Sequence, residues 1–243
     1  MGTSPIRIVP LHVAPAAAPA APPKLTYRGG PLLGAVEVFT AYWGVEWLAA
    51  EAPLLTQLND FFLYVLNSPL MDQLDEYSVS GTPITHGSVA GTAVITDQQP
   101  SGSVTDAQIQ NLIQVEISNG RLPINKPNSL YFIYLPPGVD VDLGGQQSCS
   151  SFCGYHDSIG GKIYYAVMPY PGCSGCVGGL HVLDALTSTS SHELCEAVTD
   201  PVPGQGWYDD TNGEIGDICA WQTKKVGQWT VQLEWSNKQG RCL

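Results

Sequence analysis

The chain has 243 residues, of which 44% are hydrophobic and 13% are charged, so it can bury a large core and is not a disordered chain. Its formal charge of −12 argues against nucleic acid and anionic membrane surfaces as partners, because both attract basic patches. No run of eighteen apolar residues is present, so the sequence predicts no membrane-spanning segment.

The N-terminal residues 1–25 are rich in Ala and Pro, which predicts an extended, peripheral arm before one domain over 26–243. Strands and helices then alternate, which predicts an α/β domain with helices packed on a mixed sheet. The predicted strands are 34–44, 87–97 and 129–137, and the predicted helices are 51–67 and 104–120, the second with Thr105 as N-cap and Gly120 as stop.

The second half of the chain is richer in loops. A Cys/Gly-rich loop is expected over 138–161, followed by the strand "KIYYAVMPY" at 162–170 and a second Cys/Gly-rich loop. A long helix is predicted from His181 to Thr199, and one late strand over 228–235.

Seven cysteines are present, and only Cys195 lies inside a predicted helix. The simplest arrangement has three disulfides and a buried free thiol at Cys195, with Cys219–Cys242 fixing the C-terminal part. The other four pair among themselves in an order that the sequence leaves open, or form a C-x3-C…C-x2-C zinc site. These four are Cys149, Cys153, Cys173 and Cys176.

The segment "SSHELCEAVTDP" (190–201) carries the strongest chemical signal. Residues i and i+4 share a helix face, so His192 and Glu196 can hold one ion while Glu193 accepts a proton from water. Glu196 stands where the H-E-x-x-H motif has a second histidine. A carboxylate can ligate zinc, but its charge weakens the Lewis acidity of the ion and also admits Mn²⁺ or Ca²⁺.

Acidic residues are concentrated around this segment. Eight of the 22 acids lie between 163 and 223, a stretch with no Lys or Arg. Such carboxylates either form a solvated surface or surround a cation. "DDTNGEIGD" also has the composition of a calcium-binding loop, without the EF-hand spacing.

The string "HELCEAVTD" resembles the active-site helix of thermolysin-like peptidases, which reads HELxHAVTD, and "NGEIGDIC" supplies the downstream Glu and Asp of that family. The resemblance covers about 30 residues, and the Glu-to-Asp spacing is one residue shorter here. It implies a zincin-like fold and an ion-polarised peptide carbonyl. The roles it implies are His192, Glu196 and Glu214 as metal ligands, Glu193 as general base, Asp217 and Asp200 as outer partners of the ligands, and Tyr208 as the oxyanion donor.

A second resemblance covers residues 27–176 more loosely. "YRGGPLLGAVEVFTAYWG", "CSSFCGYHDS" and "PGCSGC" are similar to segments of the plant EXORDIUM, or phosphate-induced, secreted proteins. This resemblance implies secretion, disulfides and a notable His156, but no reaction. His156 and His181 are candidates for further ligands, although each fits a polar loop or helix-start position better.

We therefore predict a secreted, metal-dependent peptidase of zincin-like fold, with zinc, or else calcium, as its ion. No clear signal peptide is recognised, because Pro10 and Pro15 interrupt the N-terminal apolar residues. The strand at 162–170 is expected to be the sheet edge to which a peptide or protein substrate adds. The alternative is a non-catalytic, metal-stabilised binding protein of EXORDIUM type with a cell-wall glycan as partner; a glycosidase using two carboxylates is a third possibility.

Overall fold

The computed structural model describes residues 8–11 and 22–243. Five α-helices and three short 3₁₀ segments (Val45–Leu48, Asp75–Tyr77 and Asp217–Cys219) lie within that part of the chain. The helices are α1 (Ala52–Val65), α2 (Pro69–Leu74), α3 (Asp106–Ser118), α4 (Ser174–Val177) and α5 (Val182–Thr199). The strands are β1 (Ile8–Pro10), β2 (Thr26–Tyr27), β3 (Glu37–Trp43), β4 (Ser88–Ile95), β5 (Ser103–Thr105), β6 (Ser129–Tyr134), β7 (Asp140–Leu143), β8 (Gln146–Gln147), β9 (Phe152–Ile159), β10 (Ile163–Met168), β11 (Trp207–Tyr208), β12 (Thr223–Val226), β13 (Trp229–Gln232), β14 (Trp235–Ser236) and β15 (Arg241–Cys242).

The predicted α/β class is confirmed. The main sheet has the order β1-β9-β10-β6-β3-β4, with β10, β6, β3 and β4 parallel and β9 antiparallel to β10. The predicted helices correspond to α1, α3 and α5. Thr105 caps α3 through a capping box with Gln108, and Gly120 follows the helix with φ of 75°.

The sheet separates two apolar cores because successive side chains of a strand point to opposite faces. In β6, Phe132 and Tyr134 pack into the core under α1, α2 and α5, while Tyr131 and Ile133 pack into the core under α3. The central strands are buried on both faces and therefore consist of nearly continuous apolar residues. This arrangement holds α5 against the sheet, where it carries the HELCE segment.

Helix α5 is buried from Ala185 to Thr199 although it is rich in polar residues. Its hydroxyl groups are satisfied locally or by the sheet: Ser190 Oγ lies 2.7 Å from the Tyr134 hydroxyl, and Thr199 donates to the Cys195 carbonyl at 2.8 Å. In the part of the chain that the structure describes, no helix is both long and apolar enough to cross a bilayer. A helix this polar at the centre of a domain indicates a site rather than a simple packing element.

The disulfide prediction is confirmed. Cys219 is bonded to Cys242, and Cys195 is a buried free thiol. The order that the sequence left open is Cys149–Cys173 and Cys153–Cys176. The alternative of a four-cysteine zinc site is wrong, because these sulfurs are bonded to one another and offer no thiolates.

Two predictions on the sheet edge are wrong. The segment 138–161 is not a loop, since it contains β7, β8 and the eight-residue strand β9. As β9 pairs with β10, the strand at 162–170 is interior. Gly154, which suggested a loop, is needed within β9 because a Cβ there would lie 2.7 Å from the Thr189 methyl group on α5.

The predicted N-terminal arm is described only in part. Residues 1–7 and 12–21 lie outside the described residues. Ile8–Pro10 is a strand of the main sheet rather than a peripheral segment, and Lys24 donates its backbone N–H to Asp209 at 2.7 Å.

Candidate metal centre

The helical spacing of the HELCE segment brings its histidine and second glutamate together. Nε2 of His192 lies 2.9 Å from Oε1 of Glu196 across one turn of α5. Asp217, at the start of a 3₁₀ segment, joins them: one ligand atom from each of these three residues lies within 4.8 Å of the others. One imidazole and two carboxylates at this separation are a donor set that zinc or manganese accepts.

The segment after α5 folds back over the helix through backbone hydrogen bonds. Asp200 ends the helix, and its carboxylate accepts the backbone N–H groups of 204, 205 and 206 at 2.6–3.0 Å. Further along, the Asp217 N–H donates to Oε1 of Glu196 at 3.1 Å. Gly216 lies so close to His192 that a Cβ would be 2.7 Å from Nδ1. Asp200 therefore holds residues 204–206 against the end of α5, from where the chain continues to Asp217.

A second group of ligand-type side chains adjoins the first and shares Glu196. His156, from β9, lies 3.0 Å from Oε2 of Glu193 and 3.5 Å from Oε2 of Glu196, both through Nδ1. Its Nε2 lies 3.1 Å from the Asp200 carbonyl oxygen. As an imidazolium, His156 donates from Nδ1 to Glu193 and from Nε2 to the Asp200 carbonyl, and it thereby fixes the orientation of Glu193.

Glu214, to which the resemblance assigns a ligand role, contacts the cluster through His156. Its Oε1 lies 3.6 Å from Nε2 of His156, so it approaches the cluster from the β9 side. Asp217 is the residue that groups with His192 and Glu196, whereas the resemblance implied a ligand role for Glu214 and an outer role for Asp217.

The cluster contains more carboxyl groups than imidazoles. The four carboxylates of Glu193, Glu196, Glu214 and Asp217 face two histidines. Within residues 8–11 and 22–243, four buried carboxylate oxygens here have no hydrogen-bond partner: Oε1 of Glu193, Oε2 of Glu196 and both oxygens of Glu214. Leaving such groups ionised and unpaired is costly, so they either hold a proton or bind a cation.

The pKa shifts in the cluster follow from burial and from these neighbours. Burial by itself lowers the pKa of His156 and His192, but the surrounding carboxylates outweigh it and raise both pKa values. Burial raises the pKa of Glu193 and of Glu214. For Glu196, burial raises the pKa, yet the two histidines outweigh this and lower it. Glu196 is thus the carboxylate most readily available as an anionic ligand.

Two further residues behind the cluster were not predicted from sequence. Nε2 of the Gln232 amide, on β13, lies 2.7 Å from Nδ1 of His192 and donates to the Gly216 carbonyl at 2.9 Å. Ion binding at Nε2 of His192 requires this amide to turn, so that its oxygen accepts the Nδ1 proton. Glu234 is fully buried, and neither of its oxygens has a hydrogen-bond partner among the described residues.

The remaining predicted residues lie as follows. Tyr208 is in β11, with the Arg28 guanidinium 4.4 Å above its ring. His181 is the N-cap residue of α5 and lies in the part of the helix remote from the HELCE segment. His156 was singled out from the C-G-x-H string, but its contacts with Glu193 and Glu196 exist only because the tertiary structure brings β9 against α5.

Comparison with known proteins adds no relative. No protein-family model matches this chain, and no curated protein matches it.

Proposed function

We propose that this protein is a metal-dependent peptidase, and that His192, Glu196 and Asp217 hold its ion. The observation that carries this proposal is the grouping of their ligand atoms within 4.8 Å, beside buried carboxylate oxygens that have no hydrogen-bond partner among the described residues. A nitrogen donor and two carboxylates fit zinc or manganese. A divalent ion held there supplies Lewis acidity to a peptide carbonyl.

Glu193 is the general base of the proposed reaction. It lies next to the ligand His192 in the chain, and its pKa is raised by burial, which suits a group that takes a proton from water and returns it to the leaving amine. The 3.0 Å contact with Nδ1 of His156 holds Oε2 of Glu193 in place. His156 is accordingly a positioning residue. Tyr208 remains the proposed oxyanion donor.

The test combines metal content with peptide turnover. We expect one zinc or manganese ion per chain after equilibration, and hydrolysis of members of a peptide library that is lost on chelation and restored by the ion. Glu193→Gln should keep the ion and lose the turnover. An ion bound at full occupancy by a protein that cleaves no peptide would refute the peptidase.

The second candidate is a metal-stabilised binding protein, and the burial of the cluster favours it. His192, Glu193, Glu196 and Glu214 are all 0% exposed, and structural metal sites are closed whereas catalytic sites keep an open position. This function predicts that chelation lowers the Tm while no hydrolysis exists to lose. Binding on a glycan array would support it.

We also propose secretion. Three disulfides are present, and such bonds persist in oxidising compartments. Fractionation of the producing cells, with a thiol-labelling assay of the recovered protein, tests this directly.

A further inference from the structure

A short segment of the chain itself lies on the outer edge of β9. Strand β1 pairs antiparallel with β9, with Ile8 opposite Tyr155, Val9 opposite Gly154 and Pro10 opposite Phe152. The Pro10 carbonyl accepts the indole N–H of Trp221 at 2.9 Å. An extended segment that pairs with a sheet edge and is anchored by one side-chain donor has the form of a bound peptide.

Val9 occupies an apolar pocket lined mainly by cysteine side chains. It is 1% exposed and packs with Cys153 and Cys176, which are bonded to each other. The second disulfide of this region and Trp221 complete the wall. Both disulfides constrain the backbone around this pocket covalently, and the pocket holds an aliphatic side chain of the size of valine.

The strand under this segment also belongs to the candidate metal centre. A Cβ on Gly154 would lie 3.4 Å from Oε1 of Glu193, and His156, two residues further, contacts Oε2 of the same glutamate. Because the pair is antiparallel and Ile8 lies opposite Tyr155, a peptide bound in the same register and one residue longer at this end would reach His156. A longer strand in this place therefore runs alongside the residue that positions the general base.

We propose that the outer edge of β9 is a binding site for extended peptides with an aliphatic residue in the disulfide-lined pocket, and that Ile8–Leu11 is its built-in occupant. In the proposed peptidase, this edge binds the peptide substrate. The inference therefore deepens the proposed function and rests on it. Residues 14–23, which follow the segment, consist only of Ala and Pro; they join the occupant covalently to the domain, and we refer to them as the tether.

The tether gives the occupant its advantage over a free peptide. A segment joined by a short linker competes at an effective concentration of about 1 mM. A free peptide that binds the vacant edge with a Kd of about 1 μM is therefore expected to bind the intact protein roughly 10³-fold more weakly. Weakening the occupant should remove most of this difference.

The experiment measures binding of a fluorescent peptide, RIVPLHV, to the full chain by anisotropy. All proteins carry Glu193→Gln, so that nothing is cleaved. Val9→Asp places a charge in the apolar pocket and should make the free peptide bind at least about 100-fold more tightly than in the parent protein. Ile124→Asp, at a position 79% exposed, is the matched control and should bind like the parent.

A second variant keeps the test decisive if Val9→Asp does not fold. Val9→Ala shortens the side chain of the occupant, leaves the site itself unchanged and should tighten peptide binding in the same direction by a smaller factor. A peptide with Asp in place of its valine should not bind any of the proteins. Equal binding by all variants, or equal binding of the Asp peptide, overturns the inference.

The two proposals fail separately. Peptide binding by the variants, with no turnover in the protein that retains Glu193, supports the β9 site and counts against the peptidase. Turnover by the native chain without any effect of Val9→Asp on peptide binding supports the peptidase and overturns the occupant.

Discussion

The motif and the structure favour different residues as the third metal ligand. The HELCE resemblance assigns Glu214, whereas Asp217 is the carboxylate grouped within 4.8 Å of His192 and Glu196. We expect Asp217→Asn to weaken zinc binding by more than 100-fold, or about 2.7 kcal/mol. This exceeds the roughly 10–100-fold loss that is typical when a residue outside the ligand set is changed.

The matched change, Glu214→Gln, should behave differently in two respects. Its loss of zinc affinity should stay within the range of about 10–100-fold, because its contact at 3.6 Å is with His156. In the metal-free protein it should raise the free energy of unfolding at pH 8 by about 1–3 kcal/mol, since an amide replaces a buried carboxylate whose oxygens accept no hydrogen bond within the described residues. For a chain of this length, each kcal/mol corresponds to roughly 2–4 °C in Tm.

The sign of the pH dependence follows from burial. Because burial raises the pKa of Glu214, the native state holds a proton that the unfolded state has lost above its own pKa, and the wild-type protein loses stability as the pH rises. The gain from Glu214→Gln should therefore disappear near pH 4. Affinity is measured by competition with a chromophoric chelator, with the exposed Asp60→Asn as control. A larger affinity loss for Glu214→Gln than for Asp217→Asn would refute the assignment of Asp217.

Three further changes probe the same region. Glu193→Gln should reduce peptide turnover by at least about 100-fold while elemental analysis still finds the ion, and retained turnover would exclude Glu193 as the base. Gly216→Ala should weaken zinc binding by about 10-fold or more, because a Cβ would displace the imidazole ligand 2.7 Å away, whereas Gly102→Ala meets no atom of the described chain and should change nothing. Glu234→Gln should stabilise the protein at pH 8 by about 1–3 kcal/mol but not at pH 4, because burial raises the pKa of Glu234. Chemical unfolding at both pH values measures the difference in stability. An equal gain at pH 8 and pH 4 would contradict the prediction.

Local chemistry explains why parts of the fold could be predicted from the sequence. Helix α3 was predicted because its capping box and its apolar spacing both depend on neighbouring residues. Helices α1 and α5 have no side-chain N-cap, and local sequence alone predicted them. Strand β9 was missed because its local sequence is rich in Cys, Gly and polar residues. It becomes a strand through pairing with β10 and β1, and its glycine is required by the approach of α5 rather than by a turn.

The candidate site, like the fold, could be predicted from the sequence only in part. The sequence by itself determined that His192 and Glu196 share a helix face, because a spacing of four residues fixes this within one element. Only the tertiary structure decided that His156 approaches from β9 and that Asp217, rather than Glu214, meets these two side chains. Such contacts join residues far apart in the chain, and they depend on how strands pair and how loops return, which no local spacing records.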